Sequence, residues 1–192
     1  MSALLALLAG PLLKALRREF ASLAQRKGVD LTVLDSRLAV RSDPAMLGRI
    51  LRNFLSNAIK YTETGRVLVG VRRRTGGLRI DVIDTGPGFD PAEADAVFRE
   101  FHRLEGTAAQ QGIGLGLSIA DRLARLLGHR LEVATRPGSG ARFSLSAEAA
   151  VAPAVSAAAP LAPNRLLAGR RLLLVDDDPE IRRAALLLFD AW

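Results

Sequence analysis

The sequence predicts an α+β domain, a two-layer sandwich in which a mixed β-sheet carries helices on one face. Three observations predict it. Residues 66–84 and 130–147 each read as a β-hairpin, and helical patterns are interspersed between and around them. The chain of 192 residues, 49% hydrophobic and 24% charged, has ordinary globular composition and the length for one full core plus a remainder.

The elements follow in order. Ala3–Leu13 is an apolar run of 11 residues, short of the roughly 18–20 needed to span a bilayer. Lys14, Arg17 and Arg18 follow that run, whereas a signal peptide places its positive charge in front. With Leu12, Leu13, Leu16 and Phe20 at helical spacing, the run reads as an amphipathic helical segment. A cytoplasmic location is the expectation. Residues 11–27 read as helix and stop at Gly28, and Leu31–Val40 reads as a short strand or hairpin.

Asp43-Pro44 is a helix start, an N-cap followed by proline at the first helical position. Met46, Leu47, Ile50, Leu51, Phe54, Leu55 and Ala58 supply the buried stripe, and the helix ends near Tyr61. Arg66–Arg73 and Leu78–Asp84 form a hairpin around Thr75-Gly76-Gly77, with Ile80 and Val82 alternating against Arg79 and Asp81. A helical piece is expected over Ala92–Phe101. Gly112–Gly116 opens a helix to about Leu127, and Arg130–Thr135 and Ala141–Ala147 form the second hairpin around Pro137-Gly138-Ser139-Gly140. From Glu148 to Leu167 the chain is mostly Ala, Pro and Val, a linker stiffened by Pro153, Pro160 and Pro163. A short strand at Arg171–Val175 and a helix from Pro179 close the sequence.

Composition excludes several chemistries. There is no Cys, so disulfides, thiol catalysis and zinc–thiolate sites are out. His102 and His129 are the only imidazoles, and His102 is expected at the surface. The net charge of +7 is concentrated in residues 1–147, which hold 22 basic and 14 acidic side chains. Such a field suits nucleic acid, a membrane surface or a polyphosphate. Aromatics at 5% offer no ladder for stacking single-stranded bases.

Three segments have residue types suited to chemistry. On the helix at 44–61, Asn53, Asn57, Lys60 and Tyr61 fall on one side at about 100° per residue. Asn is a poor helix former, an amide oxygen is a hard ligand for Mg²⁺, and a lysine one turn on can face phosphate. A solvated face is the plainer alternative. At the end of an apolar strand, Asp84-Thr85-Gly86-Pro87-Gly88-Phe89 offers a carboxylate to an exocyclic amine and glycines for a tight turn beside a ligand. An ordinary Asp-Gly-Pro turn is the alternative.

Gly112-Ile113-Gly114-Leu115-Gly116-Leu117 precedes a helix, where free amides and the helix dipole favour an anion. It is not a dinucleotide fingerprint, because position 117 is Leu and no strand leads into it. It is not a P-loop, because no Gly-Lys-Ser/Thr follows. Between these segments Phe98 and Phe101 read first as core residues, and Arg103 reads either as a phosphate contact or as a surface charge.

Taken in order, Asn53-x3-Asn57-x2-Lys60-Tyr61, Asp84-x-Gly86-x-Gly88, Phe98-x2-Phe101 and Gly112-x-Gly114-x-Gly116 resemble the N, G1, F and G2 boxes of the ATP-binding catalytic domain of sensor histidine kinases. That domain belongs to the GHKL superfamily and has the Bergerat fold. The likeness covers roughly residues 25–148. It implies that Asn57 holds Mg²⁺ with Asn53 in support, that Lys60 faces the phosphates, and that Tyr61 faces the adenine. It further implies that Asp84 bonds the adenine amino group, with Gly86, Gly88 and Phe89 in the adjoining turn. Phe98, Phe101, Arg103 and the loop through Gly112 would form the nucleotide lid, and the amides around Gly114, Leu115, Gly116 and Leu117 would meet the phosphates.

The segment Leu172-Leu173-Leu174-Val175-Asp176-Asp177-Asp178-Pro179 resembles the first strand of a response-regulator receiver, a flavodoxin-like domain in which Asp176 and Asp177 would match the Mg²⁺-binding acidic pair. The implied layout is a helical remnant after the phosphoacceptor region at 1–24, a catalytic domain at 25–148, a linker at 149–168 and a receiver start at 169–192, as in a hybrid histidine kinase. The cofactors implied are ATP and Mg²⁺. The partners are a histidine-bearing hairpin in cis or trans and a response-regulator receiver, with no nucleic acid and with membrane contact only through other parts of a longer parent chain. Residues 1–60 contain no His, so ATP binding with little or no self-phosphorylation is expected. The alternatives are a serine-directed kinase of the same superfamily and a non-catalytic nucleotide-binding or interaction module.

Overall fold

Val67, Val69 and Val71 alternate with Leu68, Gly70 and Arg72, and Leu78, Ile80 and Val82 alternate with Arg79 and Asp81. That period of two sends one row of each strand into the core. In the computed structural model, which describes residues 4–102 and 115–151, these strands are the centre of a five-stranded sheet. The chain divides into two units, Met1–Pro153 and Ala154–Trp192, and all the described residues lie in the first.

The elements are β1 (Leu5–Leu8), α1 (Ala9–Lys27), β2 (Val29–Val33), β3 (Ala39–Ser42), α2 (Pro44–Tyr61), β4 (Gly65–Arg74), β5 (Gly77–Asp84), α3 (Gly116–Leu126), β6 (Arg130–Thr135), β7 (Ala141–Ala147) and β8 (Ala149–Ala150). The large sheet runs β2-β4-β5-β7-β6. β2 lies parallel to β4 and the other pairs are antiparallel. A small sheet, β1-β3-β8, is antiparallel throughout. Leu13, Leu16 and Phe20 of α1, Ile50, Phe54 and Leu55 of α2, and Ala120 and Ala124 of α3 are buried in one cluster with Val67, Val82, Phe143 and Leu145 of the sheet. Phe54 and Phe143 lie 5.4 Å apart, ring centre to ring centre, at the middle of that cluster.

The opposite face of the sheet is polar. On it Asp81 is only 5% exposed and fully occupied. Arg72 Nε lies 2.9 Å from its Oδ2, Arg79 Nε 3.0 Å from its Oδ1, and Ser144 Oγ donates to Oδ1 at 2.7 Å. The buried charge is thus paired and hydrogen-bonded from both neighbouring strands, as its burial requires.

The α+β sandwich, the capped α2, both hairpins and the helix opening at Gly116 stand as read from the sequence. Four details differ. Leu5–Leu8 is a strand paired with β3 rather than helix, because the ring of Pro11 clashes with a helical carbonyl four residues earlier. Residues 31–40 make no hairpin, since β2 and β3 join different sheets. Residues 92–101 hold two single 3₁₀ turns, Pro91–Glu93 and Ala96–Phe98, in place of a helix; Arg99 is extended and Phe101 has φ 61°, which ends any continuation. Ala149–Ala150, at the head of the expected linker, pairs with β3. α1 runs across position 24, and Leu13, Leu16, Phe20 and Ala24 belong to the same core as the sheet. The strand and helix expected after residue 169 lie outside the described residues.

Candidate functional site

α2 carries the polar row. Its start is fixed by Asp43, whose carboxylate accepts the Met46 N–H at 2.9 Å, with Pro44 behind it. With Leu47, Ile50, Leu51, Phe54, Leu55, Ala58 and Ile59 buried, Asn53, Asn57, Lys60 and Tyr61 are left half-buried beside the core stripe. Asn53 Nδ2 donates to the Arg49 carbonyl at 3.1 Å. Its Oδ1 faces the first residue of α3, where a Cβ on Gly116 would stand 3.0 Å away. Lys60 Nζ sits 5.0 Å from the centre of the Tyr61 ring.

The C-terminal end of α2 is held from α1. Lys27 Nζ donates to the Ile59 carbonyl at 2.7 Å and to the Lys60 carbonyl. A cation at a helix C-terminus meets the partial negative charge of the last carbonyls. Burial lowers the Lys27 pKa, Glu63 opposes that, and Lys60 adds to it.

Asp84 closes β5 and is 7% exposed. Its Oδ1 accepts the Gly86 N–H at 2.9 Å and the Ala141 N–H at 3.2 Å. No described residue bonds Oδ2, so that oxygen remains an acceptor for a ligand's donor. Burial pushes the carboxyl pKa up, and the two backbone N–H groups pull it down.

The loop after Asp84 is laid against the turn between β6 and β7. Phe89 N–H donates to Thr135 Oγ1 at 2.9 Å, and Gly138 N–H donates to the Pro87 carbonyl at 2.6 Å. Gly88 has φ +61° and Gly140 φ +88°. A Cβ on either would overlap backbone carbonyls, those of Arg136 and Gly140 for the first and that of Asp84 for the second. Only glycine allows both the dihedral angle and the approach.

Phe98 and Phe101 separate. Phe98 meets Phe143 edge to face at 6.4 Å and packs on the core, whereas Phe101 is 67% exposed. His102 is half-buried rather than superficial, its Nε2 3.9 Å from Glu93 Oε1. His129 is buried against Ser42 Oγ at 2.9 Å, and burial lowers its pKa. α3 starts after Leu115 without a side-chain cap, which leaves first-turn N–H groups for an anion. Leu115, Gly116 and Leu117 are half-buried there. Arg103, Gly112, Gly114, Asp176 and Asp177 lie outside the described residues.

The structure therefore brings Asn53 to Gly116, and the α2 C-terminus to Asp84 and Gly86, since a Cβ on Gly86 would stand 3.1 Å from the Tyr61 carbonyl. Two contributors were missed by sequence reasoning: Gly140 with the Ala141 N–H, and Thr135. For the first, the signal was present. Gly138-x-Gly140 before an alternating strand repeats the spacing of Gly86-x-Gly88 after one, yet it reads as an ordinary hairpin turn.

Comparison with known proteins gives a consistent result. Residues 42–150 match the family described as histidine kinase-, DNA gyrase B-, and HSP90-like ATPase. The chain is similar to the virulence sensor protein BvgS of Bordetella bronchiseptica, 34% identical over 83% of this chain and 14% of that protein. It is similar to the sensor protein TorS of Escherichia coli K12, 35% identical over 78% of this chain and 16% of that protein. Among solved structures, full-length ShkA in complex with AMPPNP is 31% identical, with a TM-score of 0.68 over 98% of this chain and 39% of that one. The catalytic domain of histidine kinase ThkA, at 20% identity and a TM-score of 0.64 over 76% of this chain and 96% of that one, shares the fold. The chain thus spans about a seventh of the length of these curated relatives. No helix among the described residues is long and apolar enough to cross a membrane. The chain belongs to the histidine kinase-, DNA gyrase B-, and HSP90-like ATPase family.

Proposed function

We propose, taking that family membership as the premise, that this domain binds Mg²⁺·ATP and presents the γ-phosphate to a histidine side chain in a two-component phosphorelay. The observation that carries the reading is the convergence of three separate segments: α2's polar row, the Asp84 turn and the uncapped start of α3. The sensor-kinase names of the relatives favour it over a serine-directed kinase or a non-catalytic module. The AMPPNP bound to ShkA supports an adenine nucleotide as the ligand.

The donor set fits a metal that arrives with the nucleotide. Among the described residues no group of three His, Cys, Asp or Glu side chains could hold an ion by itself. The amide oxygen of Asn57 is a hard, neutral donor of the kind Mg²⁺ accepts alongside substrate phosphates and water. Bound there, the ion would neutralise phosphate charge during transfer. Asn53 would support the site from one turn earlier, and Lys60 would add a point charge toward the phosphates. At the other end Asp84 Oδ2 would accept the exocyclic amine, and the Tyr61 ring would line the base. The first-turn amides of α3, with Gly112, Gly114, Leu115, Gly116 and Leu117, would cradle phosphate oxygens. Phe101 and Arg103 would belong to the lid.

No group in this set acts as a nucleophile toward phosphate. The residues position and neutralise, and the attacking imidazole comes from a phosphoacceptor hairpin in cis or trans. The proposed layout has the catalytic domain ending near residue 148, a linker to 168 and a receiver start at 169–192, whose Asp176 and Asp177 would be part of a second Mg²⁺ site. The site belongs on the cytoplasmic side, where ATP is found.

Calorimetric titration with ATP, with and without Mg²⁺, tests the reading. The wild type should bind, Asn57→Ala should lose the Mg²⁺ dependence, and Asp84→Ala should lose most of the affinity. A folded wild type that binds no ATP would sink it.

A further inference from the structure

The open face of the large sheet holds more than the Asp81 cluster. Strand pairing puts Ile83 of β5, Arg142 of β7 and Ala134 of β6 in one row across that face. Their neighbours along the strands, Val82, Phe143 and Val133, pack into the core instead. At this row lies a cavity of about 270 Å³, walled by Ile83, Ala134, Arg142 and, from the β6–β7 turn, Arg136 and Ser139. Asp84 borders it too, but by the same alternation its carboxylate belongs with Ile80 and Val82, on the helix-covered side.

The cations of this wall are unmatched. Asp81 is taken by Arg72, Arg79 and Ser144, and Glu132 by Arg130 at 3.2 Å. Neither the Arg142 nor the Arg136 side chain has a hydrogen bond or ion pair among the described residues. The Arg142 side chain is half-buried, and its Nε is closed off without an acceptor. A guanidinium cannot shed its proton, and a buried donor without an acceptor is unfavourable. The charge is left for a partner at the terminal nitrogens. The turn beside it is held in place, Ser139 N–H donating to the Arg136 carbonyl at 3.0 Å and Gly138 N–H to the Pro87 carbonyl.

We propose that this cavity is an anion site for a phosphate group, inorganic or carried by a small organic molecule, on the face of the sheet away from α2. Two guanidinium groups match a phosphate, which carries close to two negative charges at neutral pH; a carboxylate would leave one cation unmatched. The planar guanidinium fork meets two phosphate oxygens at once, and the Ser139 hydroxyl adds a neutral donor. Ile83 and Ala134 offer an apolar side to a short organic remainder. The volume lies below the about 300–1,000 Å³ of pockets for larger ligands, so the site suits a compact one.

Calorimetric titration of the full chain with inorganic phosphate, at constant ionic strength and without ATP, tests the site. Saturable binding is expected, with acetate at least about tenfold weaker. Arg142→Met and Arg136→Met should each weaken phosphate about tenfold or more, the range of a charged hydrogen bond. Arg142→Met should melt no lower than wild type, because the stem is kept and the unpaired Nε is gone. Arg74→Met, at the exposed far end of β4, and Asn57→Ala, at the nucleotide site, should both leave phosphate affinity unchanged. Tighter binding of glycerol phosphate than of phosphate would identify an organic ester as the ligand, and equal binding the free ion.

A folded wild type without saturable phosphate binding overturns the proposal. So does acetate binding as tightly as phosphate, or unchanged affinity in both Arg142→Met and Arg136→Met. An equal loss in Arg74→Met would reduce the binding to general surface charge, and a loss in Asn57→Ala would move the phosphate into the nucleotide site; either overturns it. None of these readouts depends on ATP binding, so failure of the nucleotide reading is seen separately.

Discussion

The two ends of the candidate site are built in different ways. At the Asp84 end the groups are fixed by backbone. The carboxylate takes two N–H groups, the adjoining loop is pinned through Thr135 and Gly138, and two glycines admit contacts that no side chain would. At the Asn57 end the groups are half-buried side chains on a helix, and Asn53 donates to a carbonyl one turn back. The first end is preorganised through backbone contacts, and the second is presented on side chains along one helix face. That division suits a ligand with one rigid planar part and one flexible charged part, since a flat ring rewards fixed partners and a phosphate chain rewards adaptable ones.

The contrast can be broken most severely at Gly140. Gly140→Ala places a methyl into the Asp84 carbonyl and strains a positive φ. A loss of about 2–4 kcal/mol in urea denaturation is expected, together with loss of ATP binding. A small change in both would mean that the Asp84 end does not depend on its backbone contacts.

The protonation of Asp84 sharpens it. Its pKa is raised by burial, so the folded protein holds this proton more tightly than the unfolded chain. The stability it contributes is therefore full at acid pH and is lost as pH rises through the folded pKa. Binding runs the other way, because a protonated carboxyl is a poorer acceptor for an amine. As pH is lowered, ATP affinity should therefore begin to fall already above the range where an ordinary aspartate titrates. Asp84→Asn should flatten both pH profiles while weakening ATP binding at neutral pH.

The smallest effect is expected where the two ends share a support. Lys27→Met removes the cation from the Ile59 and Lys60 carbonyls and should cost about 1 kcal/mol. ATP affinity should fall only a few-fold, since neither end loses a direct contact.

Much of the fold was legible because its signals are local. Asp43-Pro44 fixes the start of α2, and alternation fixes β4, β5, β6 and β7. The small sheet was not legible, because β8 has two residues and pairs Ala150 with Ala39, more than a hundred positions away. No window of sequence contains that information. The polar row on α2 and the Asp84 turn were visible as motifs. The support from the second hairpin turn was not, since Gly138-x-Gly140 reads as an ordinary turn until the Ala141 N–H is seen on Asp84.

The Asp81 cluster on the open face has a consequence for how the chain avoids misfolding. Asp81 faces Gly70 of β4 and Ser144 of β7, and it draws Arg72 and the Ser144 hydroxyl onto one carboxylate. A slip of β5 by one residue would turn that carboxylate into the aliphatic layer and Val82 out to solvent. Misaligned pairings are thus penalised twice over, and the strand locks in one position. Asp84 lies three residues further along the same strand and points to the other side. The cluster that aligns the sheet therefore also places, from behind, the Asp84 carboxylate proposed to meet the ligand.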